Sequence, residues 1–571
     1  MKLFDHSRPL VNDGKRSRET VIPLLFFAAV ALFVTAPFFF TRGYVFLLDM
    51  VWGPGMTMAD KFRSGIDSGL PLFFVHRALG TFIPNDILQK FFLWFALFLP
   101  GASFFLLARR YFPVLFSVGA GLFFLMNPFV EERFLAGHWI VLLGYGFLPL
   151  FLLSLLDFLE KFDKKRFLHF AFFYTLFPLV SLHMTYIATP LLFLTASFSL
   201  LFKTLREKEP LLLSRKAIAS AMIAFGSIFL LGNGFWLLRF FDDTQPFSEF
   251  GNSDFETFAP IERPDRNVFL SALGLSGFWN DDFFTTEDLL PFRTPLVLSL
   301  VLLSFVGALS RIRKRDPLAL ALVFLFFPTL LLSIGFGSPI TRPITEWCLT
   351  HIPLFRGLRD TSKLLALIAL SYAFFLPHGI LVVLSAIKEA RVSLPKKMVI
   401  TKVFTIIFLF LPPFFLSGTL LWGESGQLRG TPYPKEWARA NELVNSDPNA
   451  TILFALPWKS YLTLHFSEEA FVASPANPFF TAPVLTAKNT GNPRLSSTGK
   501  SPWDETALLL QSEVPSIRET GIRELSRRGV SHIVLLKTDE WKPFIALGTS
   551  RLLETLMDTD TIALYVIRAE K

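Results

Sequence analysis

The chain is poor in charge and nearly without cysteine. Asp, Glu, Lys and Arg make up 18% of its 571 residues, below the roughly 25% of an ordinary soluble protein, which argues against a large water-soluble enzyme. The one cysteine, Cys348, excludes an internal disulfide and any cysteine-built iron–sulfur or structural zinc site. The formal charge is +9, yet the basic residues gather at the ends of apolar runs instead of interleaving with aromatics on a polar segment. That is a topology signal and not a nucleic-acid surface.

What the chain has in quantity is apolar surface. Apolar residues reach 52%, 69 of them Phe, and mean hydropathy is +0.48. Runs of about twenty nearly uncharged residues suit helices crossing a hydrocarbon core about 30 Å thick. The fold class expected is a mainly α, multi-pass protein of the cell membrane, in contact with membrane lipids. Candidate spans are 21–40, 88–108, 112–130, 138–158, 167–181, 184–202, 216–239, 294–310, 317–335, 364–387 and 402–422, eleven in all. The first run has no small-residue cleavage site after it and reads as a retained helix rather than a signal peptide. The pair within 167–202 is either two short helices hinged near Ser181-Leu182-His183 or one re-entrant feature plus one span.

Basic loops fix an orientation. With the N-terminus inside, the short loops carrying Arg109-Arg110, Lys161 to Arg166, Lys203 to Lys216, Arg311 to Arg315 and Lys388 to Lys402 all fall inside. The elaborate loops 41–87, 131–137, 240–293 and 336–363 then fall outside. So does the tail. The expected division is a membrane domain over 1–422 and a small extracytoplasmic α/β domain over 423–571. In the tail, 450–457, 531–536 and 562–567 read as short buried strands, and 517–529 reads as a helix closed by Gly529. No phosphate-cradling glycine motif occurs there. Trp458, Tyr461, Trp503 and Trp541 can either stack on sugars or fill a core.

The outer loops hold the candidate chemistry. Tyr44-Val-Phe-Leu-Leu-Asp49-Met-Val-Trp-Gly-Pro54 places one carboxylate between an apolar approach and a turn. Asp49 is either a turn carboxylate or a general base. The stretch with Asp60, Lys61, Arg63 and Asp67 reads as an amphipathic helix on the membrane. Asn127-Pro128 should break the third span and present Glu131 and Glu132. These two either pair with Arg133 or hold Mg²⁺ or Mn²⁺. His138 is a phosphate ligand, a proton relay or an interfacial histidine. His183 and Tyr186, at the hinge, can face a lipid-linked substrate. Gly232-Asn233-Gly234 either breaks the seventh span or packs it closely, and Asn233 needs a partner inside the bundle. Arg239 binds phosphate or snorkels. Arg356 and Arg359 put cations in an outer loop, against the charge rule. Anion binding or pairing with Asp360 or the acidic loop 240–293 would explain them.

This arrangement resembles the GT-C superfamily of membrane glycosyltransferases, the polytopic mannosyl-, arabinosyl- and oligosaccharyl-transferase-like proteins. Asp49 in LLDMVWGP stands where their first outer loop carries an acidic catalytic residue. Glu131 or Glu132 in MNPFVEERFLAGHW matches the acid often found in their second. The resemblance covers roughly residues 20–422. It implies a polyprenyl-phosphate-linked sugar as donor and a glycan, lipid or protein as extracytoplasmic acceptor, with Asp49 as base and Arg356, Arg359 and His138 around the departing phosphate. The first loop departs from the pattern in having no Asp-x-Asp or Asp-Glu pair. Two other classes fit parts of the sequence: a transporter or flippase of a lipid-linked glycan, and a non-catalytic membrane assembly protein presenting its tail.

Overall fold

The computed structural model describes residues 13–56, 68–207, 215–238, 252–261, 267–280, 283–290, 293–352, 355–389, 394–467, 470–487 and 502–568. The stretch holding Asp60 to Asp67 lies outside these residues, as do Arg239 and the acidic positions that follow it.

The chain is mainly α-helical, and it is a multi-pass membrane protein. Among the described residues, ten helices are long and apolar enough to cross a bilayer: Arg18–Phe40, Asn85–Ala108, Val114–Leu135, Trp139–Glu160, Leu182–Leu205, Ser220–Leu237, Thr294–Arg313, Pro317–Gly337, Thr361–Glu389 and Pro395–Ser425. The expected eleventh span, 167–181, is not among these ten. The segment 167–181 forms the helix Lys164–Val180, whose 17 residues begin with Lys-Lys-Arg. Its apolar part is too short to qualify. The helix is capped by Asp163, whose carboxylate accepts the Arg166 N–H.

The chain divides into two compact units. The first comprises Met1–Val34, Trp94–Phe134 and Trp139–Glu424; the second comprises Thr35–Leu93, Leu135–His138 and Ser425–Lys571.

Within the first unit, helices pack through small residues and aromatic rings. A Cβ on Gly379 would lie 1.9 Å from the Leu303 carbonyl oxygen, and one on Gly307 would lie 2.0 Å from that of Phe375. Two spans therefore touch backbone to backbone, as small residues allow where lipid offers no hydrophobic driving force. Phe124 stacks on Tyr145 at 3.9 Å, and Phe151 packs against Phe170, Tyr174 and Phe177. The break at Asn127-Pro128 is present. One helix ends at Leu125 and the next runs from Pro128 to Leu135. The Asn127 amide caps both sides, donating to the Phe123 and Phe124 carbonyls and accepting from the Val130 N–H. At Gly232-Asn233-Gly234 the close-packing alternative holds, and the helix Arg215–Leu237 runs straight through. Asn233 has its partners in the bundle, donating to the Thr175 carbonyl and accepting from Trp236 Nε1. Gly232 packs against Thr175, whose Cγ2 would lie 2.4 Å from an added Cβ. The hinge falls at Ser181, between Val180 and Leu182.

The second unit is built on strands. Strand β1 (Tyr44–Val45) pairs antiparallel with β2 (Gly430–Thr431). A five-stranded sheet uses β3 (Ile452–Leu456), β6 (Val484–Leu485), β7 (Val530–Leu536), β8 (Leu553–Asp558) and β9 (Ile562–Ile567) in the order β6-β3-β7-β9-β8. The pairs β6/β3 and β3/β7 are parallel, and β7/β9 and β9/β8 are antiparallel. A hairpin joins β4 (Tyr461–Leu464) to β5 (Ala470–Ala473). Near-continuous apolar runs in β3, β7 and β9 fit a sheet buried on both faces. One face holds Phe454, Leu456, Ile533 and Leu535 against the helices Pro502–Leu510 and Pro515–Arg527; the other holds Leu453, Ala455, Val534 and Leu564 against Trp437 of Lys435–Ser446. Gly529, at φ +80°, supplies the left-handed residue that ends the helix before β7. The helix expected over 517–529 runs two residues earlier, because Pro515 starts it.

Candidate active site

The loop that follows the first span is held from two sides. Asp49 lies in a tight turn in which the Met50 N–H donates to the Leu47 carbonyl. On one side the Asp49 N–H donates to the Ala136 carbonyl at 3.0 Å. The segment 135–138 can approach this closely because Gly137 sits at φ +72° and a Cβ there would lie 2.7 Å from the Met50 nitrogen. The approach brings His138 beside the carboxylate, with Nε2 2.8 Å from Asp49 Oδ2. On the other side the Ala473 N–H donates to the Leu48 carbonyl at 2.8 Å. In the β4–β5 hairpin Ala473 stands opposite Tyr461, and the Tyr461 hydroxyl donates to Asp49 Oδ1 at 2.5 Å. Gly53 and Gly55 then pass close to the Pro478 to Phe480 backbone, where a Cβ on Gly53 would meet the Pro478 oxygen at 2.5 Å. The Trp52 carbonyl accepts from the Tyr433 hydroxyl. Burial pushes the Tyr433 phenol up, so it stays a neutral donor.

The side chains of Asp49 and His138 are 27% and 14% exposed. A carboxylate in a rigid turn, partly open to solvent and held at both oxygens, is a pre-organised polar centre. An ionised Asp accepts only, with about two lone pairs on each oxygen. Each of the two bonds engages a different oxygen. Tyr461 is the contact of Asp49 that sequence reasoning did not place here. It is 412 residues from Asp49, and no local pattern marks it.

The first unit holds the other candidates in two groups. In the first group Arg133, fully buried, donates to Asp360 Oδ2 at 2.5 Å and also hydrogen-bonds Ser362. Its guanidinium lies 4.7 Å from the Phe278 ring centre and 5.7 Å from that of Phe129. Lys363 Nζ lies 3.7 Å from Asp360 and 3.4 Å from His183 Nε2. His183 therefore joins this group, with Tyr186 one turn further along the helix Leu182–Glu207. Arg356 and Arg359 flank it in sequence. Asp360 pairs with Arg133 and Lys363, while Arg359 stacks over Phe258 at 4.9 Å. Arg356 is half-buried and makes no hydrogen bond or ion pair among the described residues. The contacts gather Arg133, Lys363, His183 and Asp360, two cations about one carboxylate.

In the second group Glu131 and Glu132 face different partners. Glu131 Oε1 accepts from the N–H and hydroxyl of Thr286 at 3.2 and 2.7 Å, and from the Thr419 hydroxyl. Glu132 Oε1 accepts from the Gly277 N–H at 3.1 Å. The Oε2 atoms of both are buried with no hydrogen-bond partner among the described residues. Neither glutamate pairs with Arg133, because Asp360 takes it. Among the described residues no group of three or more metal-ligating side chains converges.

No family model matches the chain, and no curated protein does. Solved structures do. The cryo-EM structure of arabinofuranosyltransferase AftD from Mycobacteria matches with a TM-score of 0.62 at 14% identity, over 96% of this chain and 40% of that one. Two structures of a single-residue variant of the same protein match with TM-scores of 0.59 and 0.51 at 13% and 14% identity, over 96% of this chain and 41% of theirs. The chain thus spans about two fifths of the length of these proteins and shares the fold of the part it covers.

Proposed function

We propose that the protein is a GT-C-type membrane glycosyltransferase that moves a sugar from a polyprenyl-phosphate donor to an extracytoplasmic glycan, lipid or protein. The observation that carries the reading is Asp49, the acid of the first outer loop, held at one oxygen by His138 and at the other by Tyr461. The fold likeness to an arabinofuranosyltransferase supports the class. In this reading the N-terminus is cytoplasmic and 423–571 is extracytoplasmic. The helix Lys164–Val180, about 25 Å long, then serves as a short eleventh crossing. The same boundary divides a membrane domain, 1–422, from the tail.

The acceptor hydroxyl oxygen attacks the anomeric carbon, and its proton passes to Asp49. The bond between that carbon and the phosphate oxygen breaks, and the electron pair leaves with the polyprenyl phosphate. His138 and Tyr461 fix the orientation of the carboxylate toward the acceptor hydroxyl, a positioning effect. Arg356 and Arg359 would take the phosphate charge that grows as the bond breaks. Tyr186 would border the lipid-linked substrate. Arg239 is a further phosphate ligand in this reading. Were Mg²⁺ or Mn²⁺ to bind, Glu131 and Glu132 are the carboxylates that would hold it, and the ion would supply charge neutralisation at the donor.

The test is sugar transfer by the purified protein in membranes, with a mixed pool of polyprenyl-phosphate sugars, comparing wild type with Asp49→Asn. Transfer by wild type alone supports the reading. Transfer retained in the variant removes Asp49 as base. Movement of a lipid-linked glycan across the membrane without bond formation would favour a transporter.

A further inference from the structure

A second polar site lies within the second unit, apart from Asp49. A surface cavity of about 340 Å³ is lined by Thr41, Arg42, Arg429, Gly430, Thr431 and Phe466, with Pro432 at its edge. Two exposed guanidinium groups, those of Arg42 and Arg429, border it, and its described lining residues include no carboxylate. Arg42 makes no hydrogen bond or ion pair among the described residues.

The backbone beneath these charges is fixed. The Gly430 N–H donates to Thr41 Oγ1 at 2.7 Å, and that hydroxyl donates in turn to the Pro37 carbonyl at 2.8 Å. The β1–β2 pairing sets Tyr44 opposite Thr431. Gly43, at φ +85°, lets the two segments close, since a Cβ there would lie 2.3 Å from Pro432 N. Phe466 is anchored by Phe46, Tyr433 and Trp437 at ring distances of 5.2 to 5.9 Å among this group. The cavity is a rigid concavity with an aromatic side and two cations.

Its place along the chain identifies the ligand. The apolar helix Arg18–Phe40 ends one residue before Thr41, and Phe40 is 78% exposed. The end of a span lies at headgroup depth, where the commonest anion is a lipid phosphate. Guanidinium forks match phosphate oxygens in pairs, and an aromatic wall suits the glycerol and upper acyl carbons. We infer that Arg42 and Arg429 form a binding site for the phosphate of an anionic membrane phospholipid at the end of the first span. The site needs only that this helix end reaches a headgroup layer. It does not require that the chain transfer sugar.

The experiment uses the full-length protein in nanodiscs of phosphatidylglycerol mixed with phosphatidylcholine, followed by native mass spectrometry. Wild type should retain at least one phosphatidylglycerol more than Arg42→Gln/Arg429→Gln after delipidation, and Arg42→Lys/Arg429→Lys should retain most of it. Both positions are exposed, so the melting temperature should be unchanged; a headgroup-photolabelled phosphatidylglycerol should mark peptides containing 41–44 or 429–432 in wild type alone. Equal retention and equal labelling in the glutamine variant would overturn the inference. So would complete displacement by millimolar inorganic phosphate, which would make this a free-phosphate site.

Discussion

Tyr461 donates to Asp49 Oδ1 across 2.5 Å, and His138 meets the other oxygen at 2.8 Å. The hairpin residue and the first-loop residue are brought together by backbone bonds from Ala473 to Leu48 and from Asp49 to Ala136. If Asp49 is the base, Tyr461→Phe should lower kcat roughly 10- to 100-fold, as expected for a lost hydrogen bond to a charged group worth ~1.5–3 kcal/mol. The melting temperature should move little, because the ring stays. Steady-state transfer kinetics beside a melting curve check this. Unchanged kcat would make the bond structural only.

Arg133 and Asp360 form a buried pair. Asp360→Asn should cost about 3–5 kcal/mol, because it removes the carboxylate paired with the buried Arg133 guanidinium. Thermal unfolding in detergent should show a large loss for this variant. Arg133→Met combined with Asp360→Leu should recover much of it. A double variant no better than the single one would contradict this account.

Gly307 and Gly379 hold two spans at backbone contact. Gly379→Ala puts a methyl 1.9 Å from the Leu303 oxygen, so the helices must separate. Overpacking of this kind typically costs about 1–3 kcal/mol, and Gly379→Leu should prevent folding. Size-exclusion profiles and melting temperatures would show the order wild type, Ala, Leu. Gly234, with nothing within 4 Å of an added Cβ, is the control and should tolerate Ala.

His76 gives a pH dependence. It is 3% exposed, against Trp52 at 4.4 Å and Phe92 at 6.4 Å, and neither ring nitrogen has a hydrogen-bond partner. Burial, with the Arg77 charge adding to it, brings its pKa from 6.5 down to about 4. The folded state therefore binds fewer protons than the unfolded state. Stability is fully present above pH 6.5 and is lost as pH falls from 6.5 to about 4, by up to roughly 3 kcal/mol. Melting curves across that range should show the loss, and His76→Phe should flatten the slope. An unaltered slope in the variant would assign the pH response to other groups.

The sequence by itself determined the membrane class, most helices, the break at Asn127-Pro128, the hinge at Ser181 and the main strands of the tail. These rest on short-range physics: apolar run length, a proline without an N–H, and apolar clusters of strand length. The one expected span outside the ten long apolar helices, 167–181, follows from the same rule, because Lys164–Val180 is only 17 residues long. Local pattern also singled out Asp49, His138, Glu131, Glu132, His183 and the Arg356/Arg359 pair as unusual polar residues in an oily chain.

Only the tertiary structure decided who partners whom. Asp49 meets Tyr461, Glu131 meets Thr286 and Thr419, and Arg133 takes Asp360 instead of a neighbouring glutamate. The continuity of the helix through Gly232-Asn233-Gly234 was likewise settled by packing, with Thr175 filling the groove and accepting the Asn233 amide. Each of these bonds joins residues far apart in the chain. A buried polar group must find a partner, but its sequence neighbours do not say which one; the answer is fixed by which backbones approach closely enough, and here glycines at 43, 53, 137, 307 and 379 set that distance.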